Sequence, residues 1–180
     1  MILVILSVTL IMFSCKNYKI SKNDILNTKI SVPLDSMLFV NEKLISMEKT
    51  SNTRYRFISY LDSISCTRCQ LYKMGMWSRL ENITKKANVQ YIFILSPPKE
   101  NIQSIKDEYI NTKQNHLLYL DTLGLLERNN PIIKKSVLFH SFLLDENNKV
   151  VFVCKTSKNE KVRKEYLEYV HSIERKINKE

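Results

Sequence analysis

Residues 55–69 read Tyr-Arg-Phe-Ile-Ser-Tyr-Leu-Asp-Ser-Ile-Ser-Cys-Thr-Arg-Cys. Tyr55 to Leu61 places Phe57, Ile58, Tyr60 and Leu61 between the polar stretches Ser51-Asn52-Thr53 and Asp62-Ser63, which predicts a strand. After Cys66, the apolar residues Leu71, Met74, Trp77, Leu80 and Ile83 recur at three-residue steps. That spacing is close to the helical repeat and predicts a helix with one buried stripe through about Lys86. A strand that hands over to a helix, with a C-x-x-C at the junction, is the unit from which the rest of the chain is read.

Outward from it, Val89 to Leu95 is a continuous β-rich run stopped by Pro97-Pro98, a second buried strand. Ile102, Ile105, Tyr109 and Ile110 predict a helix ending near Thr112, and extended character resumes from His116 to Leu120. Phe142 to Leu144 and Val150 to Cys154 flank Asp145-Glu146-Asn147-Asn148-Lys149, the pattern of a β-hairpin. Val162, Tyr166, Val170, Ile173 and Ile177 define an amphipathic closing helix over 161–179. The expected order is β, α, β, α, β, β, α, with the opening segment around Met37 to Met47 unassigned. This alternation is the mark of an α/β domain.

The 180 residues suit one domain, and 44% apolar with 26% charged residues excludes both a disordered chain and a polytopic membrane protein. Lys and Arg number 28 against 18 Asp and Glu, for a net charge of +10. The lysines are scattered, and no basic run is interleaved with stacking aromatics, so no nucleic-acid partner is expected. The two glycines, Gly75 and Gly124, exclude a phosphate-cradling glycine loop. Tight turns must rely on Asn instead.

Met1 to Phe13 is almost wholly apolar and is followed by Ser14 and Cys15, then by Lys16, Asn17, Lys19 and Lys22. Thirteen residues are too few to span a bilayer as a helix, but match the apolar part of a signal peptide. The run Met12-Phe13-Ser14-Cys15 resembles a bacterial lipoprotein signal, which implies lipid on Cys15. The expected organisation is a lipoprotein-type signal peptide at 1–14, a lipidated tether at 15–32 and a folded domain at 33–180. Such a chain is anchored to a membrane in the cell envelope and faces the periplasm or the exterior.

Cys66-Thr67-Arg68-Cys69 carries the chemistry. A three-residue step within one helical turn puts both sulfurs on one side, close enough for a disulfide. The unpaired N–H groups at a helix start, and Arg68 nearby, stabilise a thiolate at Cys66. Cys66 is the expected nucleophile toward a substrate disulfide, and Cys69, one turn further in, the resolving thiol. Cys154 ends the run Val150-Val151-Phe152-Val153 and is expected to be a buried, inert thiol. Asp121 and Asp145 follow strands and are expected to cap turns.

Three segments, 60–69, 119–124 (Tyr-Leu-Asp-Thr-Leu-Gly) and 141–151 (Ser-Phe-Leu-Leu-Asp-Glu-Asn-Asn-Lys-Val-Val), resemble the thioredoxin-like superfamily. In particular the chain is similar, over about residues 33 to 175, to the lipid- or membrane-anchored thioredoxin-like proteins of Bacteroidetes-type bacteria. The resemblance implies a thioredoxin-like three-layer fold: a central mixed sheet of four to five strands flanked by helices. It also implies thiol–disulfide chemistry without a cofactor, on a protein or small-molecule disulfide, with a partner protein to recycle the dithiol. The chain departs from the family at Ser65, where an aromatic is usual, and at Thr67-Arg68, where Gly-Pro is common. Phe139 or His140 falls where the family carries a cis-proline, since the chain's prolines are Pro33, Pro97, Pro98 and Pro131. These departures motivate a second expectation, a non-catalytic interaction module stapled by a structural disulfide. A third is a metal-binding chaperone using Cys66, Cys69 and His140, although such chaperones space their cysteines one residue wider. No resident metal is expected, because a zinc site would need partners among Cys154, His116, His140 and His171, and none of these forms a second paired motif.

Overall fold

The structure, a computed structural model, describes residues 20–41, 53–61, 71, 74–75, 77, 80–81, 83–84, 87–112, 116–136, 139–154 and 160–177. Two seven-residue strands, β2 (Tyr55–Leu61) and β3 (Val89–Leu95), run parallel, with Tyr55 beside Val89 and Leu61 beside Leu95. The last five residues of each are buried, which is why these central strands read as near-continuous apolar runs. Strand β4 (Leu117–Leu120) extends the sheet parallel to β3, and β1 (Leu38–Phe39) pairs antiparallel with β4. On the other side β5 (Ser141–Leu144) is antiparallel to β2 and β6 (Val150–Cys154) antiparallel to β5. The sheet is mixed and has six strands in the order β1-β4-β3-β2-β5-β6. The strand beyond the expected four to five is β1, whose two residues are too few to carry a periodic signal.

Alternation along the strands divides the core. Phe57, Leu61, Tyr91, Phe93, Leu95, Leu118, Leu120, Leu143, Phe152 and Cys154 face one side. There they meet Leu71, Met74, Trp77 and Leu80 of α2 (the helical residues within 71–83), Ile105 and Tyr109 of α3 (Ile102–Asn111), and Tyr166, Val170 and Ile173 of the closing helix, α6 (Glu160–Ile177). Ile58, Tyr60, Ile92, Ile94, Tyr119, Phe142 and Val153 face the other side. Leu126 of α4 (Leu125–Asn129) and Ile133 of α5 (Pro131–Lys135) pack on them. Helices therefore cover both faces, and the three-layer α/β arrangement expected from the sequence is the one observed.

The second face holds a departure. Residues 20–32, expected in the tether, are packed into the domain, with Ile25 0% and Ile30 1% exposed. Ser21 caps α1 (Lys22–Ile25) in a reciprocal capping box with Asp24. Lys29 then bridges Lys149 beside β6, Asn130 clasps Ser31, and the chain reaches β1 at the opposite edge of the sheet. The apolar residues of this stretch lack a period because the backbone changes from helix turn to bridge to extended strap within a dozen residues. The packed domain thus begins by Ile20 rather than at residue 33.

Turn chemistry follows the glycine count. Asn27, Asn88 and Asn148 take φ of 68°, 52° and 61°, the left-handed region that Asn tolerates best among residues with a Cβ. In the β5–β6 hairpin the Asp145 carboxylate accepts the Asn147 and Lys149 N–H groups at 2.9 Å each. Among the described residues no helix is long and apolar enough to cross a membrane.

Candidate functional site

The carboxyl ends of the parallel strands β2, β3 and β4 and the amino end of β5 lie at one end of the sheet. In open α/β sheets this is the end at which ligands bind. The chain leaves β2 at Leu61 and resumes described helix at Leu71. Cys66, Thr67, Arg68 and Cys69 belong to that connection and lie outside the described residues, as do residues 1–14, expected to form a signal peptide, and Cys15.

The remaining sequence-predicted residues, Phe139 and His140, stand at this end, directly before β5. The Tyr60 N–H donates to the His140 carbonyl at 2.7 Å, and the two rings meet edge to face with centroids 5.3 Å apart. Phe139 is turned inward upon its own loop. Its N–H donates to the Ser136 carbonyl at 2.7 Å, and its carbonyl lies 3.5 Å from the Ser136 hydroxyl. Both backbone groups of Phe139 are therefore engaged within the chain. Among the described residues no peptide bond is cis.

Beneath this loop the hydroxyls of Ser59 and Ser141 lie 3.2 Å apart, and Cys154 stands across from Ser141 in the ladder. Burial pushes the Cys154 thiol up to about 12, the charge of Glu165 adding to the effect and that of Lys22 opposing it. A free, buried thiol is what the sequence predicts here.

A polar cluster with no sequence signature also forms here, from β2, α4 and the residues just past β3 and β4. The Tyr60 side chain, 2% exposed, lies near Ser96 just past β3 and the Glu127 carboxylate on α4. Burial holds its hydroxyl well above the ordinary phenol range; the Ser96 side chain opposes this, and the charges of Glu127 and Asp121 reinforce it. Ser96 is fixed by its N–H to the Leu61 carbonyl at 3.2 Å and its hydroxyl to the Asp121 carbonyl at 3.1 Å. The Asp121 carboxylate, 1% exposed, accepts the N–H groups of Leu125 and Leu126 at 2.7 and 2.8 Å, and so caps α4. Its capping role is the expected one. Tyr60 and Glu127 were not singled out by the sequence, because only the fold brings a strand end and a helix 67 positions away into contact.

The other histidines are placed elsewhere. His116 precedes β4 at the opposite end of the sheet, with Nδ1 3.1 Å from Glu81 Oε2, and His171 pairs with Glu174 on α6 at 2.9 Å. Among the described residues no three His, Cys, Asp or Glu side chains are grouped to hold a metal.

No family model matches the sequence. No curated protein matches it either. Solved structures do match. An uncharacterized thioredoxin-like protein from Porphyromonas gingivalis superposes with a TM-score of 0.56 at 19% identity, covering 83% of this chain and 95% of that one. A putative thiol:disulfide interchange protein DsbE from Chlorobium tepidum gives 0.51 at 15%, covering 83% and 98%. Yeast Sco1 with copper bound gives 0.50 at 16%, covering 82% and 94%. At these identities the likeness establishes the fold, which is thioredoxin-like.

Proposed function

We propose that the chain is a thiol–disulfide oxidoreductase of the cell envelope, anchored by lipid at Cys15. Cys66 is the nucleophile, Cys69 the resolving thiol, and the helix start with Thr67 and Arg68 supports the Cys66 thiolate. The substrate is a protein or small-molecule disulfide, and a partner protein recycles the dithiol. One observation carries the reading: in a thioredoxin-like fold, the C-x-x-C occupies the connection from the end of β2 to the helical residues beginning at Leu71.

The test is a thiol-trapping redox titration of the chain with Cys154→Ser. A midpoint roughly between −270 and −120 mV is expected of a working dithiol. A midpoint below about −300 mV would instead mark a structural disulfide, and with it a non-catalytic interaction module.

A second reading, copper binding by Cys66, Cys69 and His140, draws on the position of His140 at the head of β5 and on the likeness to copper-bound Sco1. It predicts that Cu(I) binds the reduced chain at one equivalent and that His140→Ala weakens the binding at least tenfold. Equal affinity of the variant would overturn it.

A further inference from the structure

We propose that a groove at the border of the sheet is a binding site for a small organic ammonium ion, a positively charged nitrogen carried on an apolar body. The groove runs between α1 and α6 over β6, the outermost strand, and has a volume of about 410 Å³. Sites that enclose a small ligand measure about 300–1,000 Å³. None of its lining residues belongs to the C-x-x-C or to the loop before β5.

The walls follow from the elements that make them. Helix α1 is a single turn whose Ile25 enters the second core, and Lys22 and Leu26, at its two ends, line the groove. On α6 the lining residues Glu165, Glu168 and Tyr169 are three and four positions apart, which places them on one helical face. Val151 and Phe152 of β6 lie between the two helices and complete the lining.

Aromatic faces and charge both select a cation. The Phe152 and Tyr169 rings stand 5.2 Å apart and tilted by 37°, and the negative face of such a ring attracts a positive charge, more strongly where water is excluded. The chain's own Lys22 already shows this: its ammonium lies 4.8 Å from the Phe152 centroid, inside the ~6 Å reach of a cation–π contact. Glu165 and Glu168 set two negative charges against the one of Lys22, and among the described residues no ion pair neutralises either carboxylate. The groove is thus locally negative on a chain of net charge +10. An anion would find Lys22 alone to bind and two carboxylates to face, and a second copy of the chain would bring a like net charge. A lysine of a partner polypeptide has the right charge but carries polar peptide groups toward the apolar surfaces of Leu26 and Val151. Lys22 is therefore an internal occupant, half-buried and able to swing toward solvent when an external ammonium ion takes its place on the ring.

The experiment titrates the isotope-labelled full chain and follows its backbone amides by NMR. The probes are phenethyltrimethylammonium, phenylpropanesulfonate as a similar body of opposite charge, and Nα-acetyl-lysine amide as a peptide-like cation. The quaternary ion should give a saturable shift centred on Val151, Phe152, Glu168 and Tyr169, with a Kd of about 1 mM or below, and the sulfonate none. Phe152→Leu keeps an apolar surface without the ring and should weaken binding about tenfold, as should Glu165→Gln and Glu168→Gln together. Lys22→Met removes the competing internal cation and should tighten binding about threefold or more. Absence of a saturable shift at the groove overturns the proposal, as does sulfonate binding that Lys22→Met abolishes, or a Lys22→Met chain that binds the quaternary ion more weakly than the parent. Acetyl-lysine amide binding as tightly as the quaternary ion also overturns it, since the groove would then be a dock for a lysine of a partner polypeptide. If Phe152→Leu does not fold, the exposed Glu165 and Glu168 positions and Lys22→Met decide.

Discussion

Cys154 offers a sharp test because it is a free thiol buried in the core. It is 5% exposed on the helix-covered face of β6, and burial pushes its thiol from an ordinary value of 9.0 up to about 12. Alkylation proceeds through the thiolate, so at pH 8 an ordinary thiol is about 9% reactive form and this one about 0.01%. The native chain should therefore label at Cys154 about a thousandfold more slowly than the unfolded chain, before any further loss from restricted access. The assay pulses iodoacetamide onto the native protein at pH 8, unfolds it, applies an isotopically distinct reagent and reads the Cys154 peptide by mass spectrometry. The second label should dominate at this peptide. Labelling of native Cys154 within about tenfold of the unfolded rate would refute both the burial and the ionisation argument. It would also mean that a third reactive thiol competes with the dithiol in any exchange assay.

Alkaline pH should destabilise the protein. Burial is the main cause that raises Tyr91 to about 12 and also raises Tyr109, Tyr166 and Tyr169, while Cys154 stands at about 12. Each group stays neutral in the folded chain where its unfolded counterpart ionises, so their stabilisation is complete below about pH 8.5 and is lost as pH climbs toward 12. Urea midpoints measured at pH 8, 9.5 and 11 should fall steeply, and Tyr166→Phe should flatten the decline; a midpoint independent of pH would contradict this. Asp121→Ala strips the cap from Leu125 and Leu126 and should cost about 2 kcal/mol, seen as a melting temperature lower by about 4 to 8 °C. Asn130→Ala removes the amide that accepts from the Ser31 N–H and donates to the Ser31 and Leu126 carbonyls, all at 2.7 to 2.8 Å. It should cost about 2 kcal/mol and make residues 20–32 the first site of limited proteolysis, whereas unchanged cleavage would show that the apolar contacts alone hold the strap.

Strands β2, β3, β5 and β6 were legible in the sequence because strands covered on both faces concentrate apolar residues into short runs. Helices α3 and α6 were legible because each buries one stripe. The helices α4 and α5 were not, since five residues apiece give no repeat; α4 depends on Gly124 at φ 63° and the Asp121 cap, features of a turn rather than of a periodic segment. The packing of the strap at 20–32 is illegible in the sequence for a related reason, its buried Ile25 and Ile30 being spaced by the path of the backbone and not by a helix or strand. At the candidate site, local spacing marks the C-x-x-C, and Phe139 and His140 are marked by the family resemblance, which carries a cis-proline at that strand start. Tyr60 and Glu127 had no such signal, because neither residue type nor spacing marks a contact made only by tertiary packing.

The strap has a consequence for the order in which the molecule assembles. Its partners lie far along the chain: Ser31 binds Asn130 across 99 positions, Lys29 bridges Lys149, and β1 pairs with β4. None of these surfaces exists until much of the later polypeptide has been made, so this segment is among the last to dock. Until then both borders of the sheet, β4 on one side and the start of β6 on the other, lack the backbone partners that this one segment supplies. A single late event therefore seals two edges at once, and the nascent protein stays open to strand addition by other chains until the strap closes it.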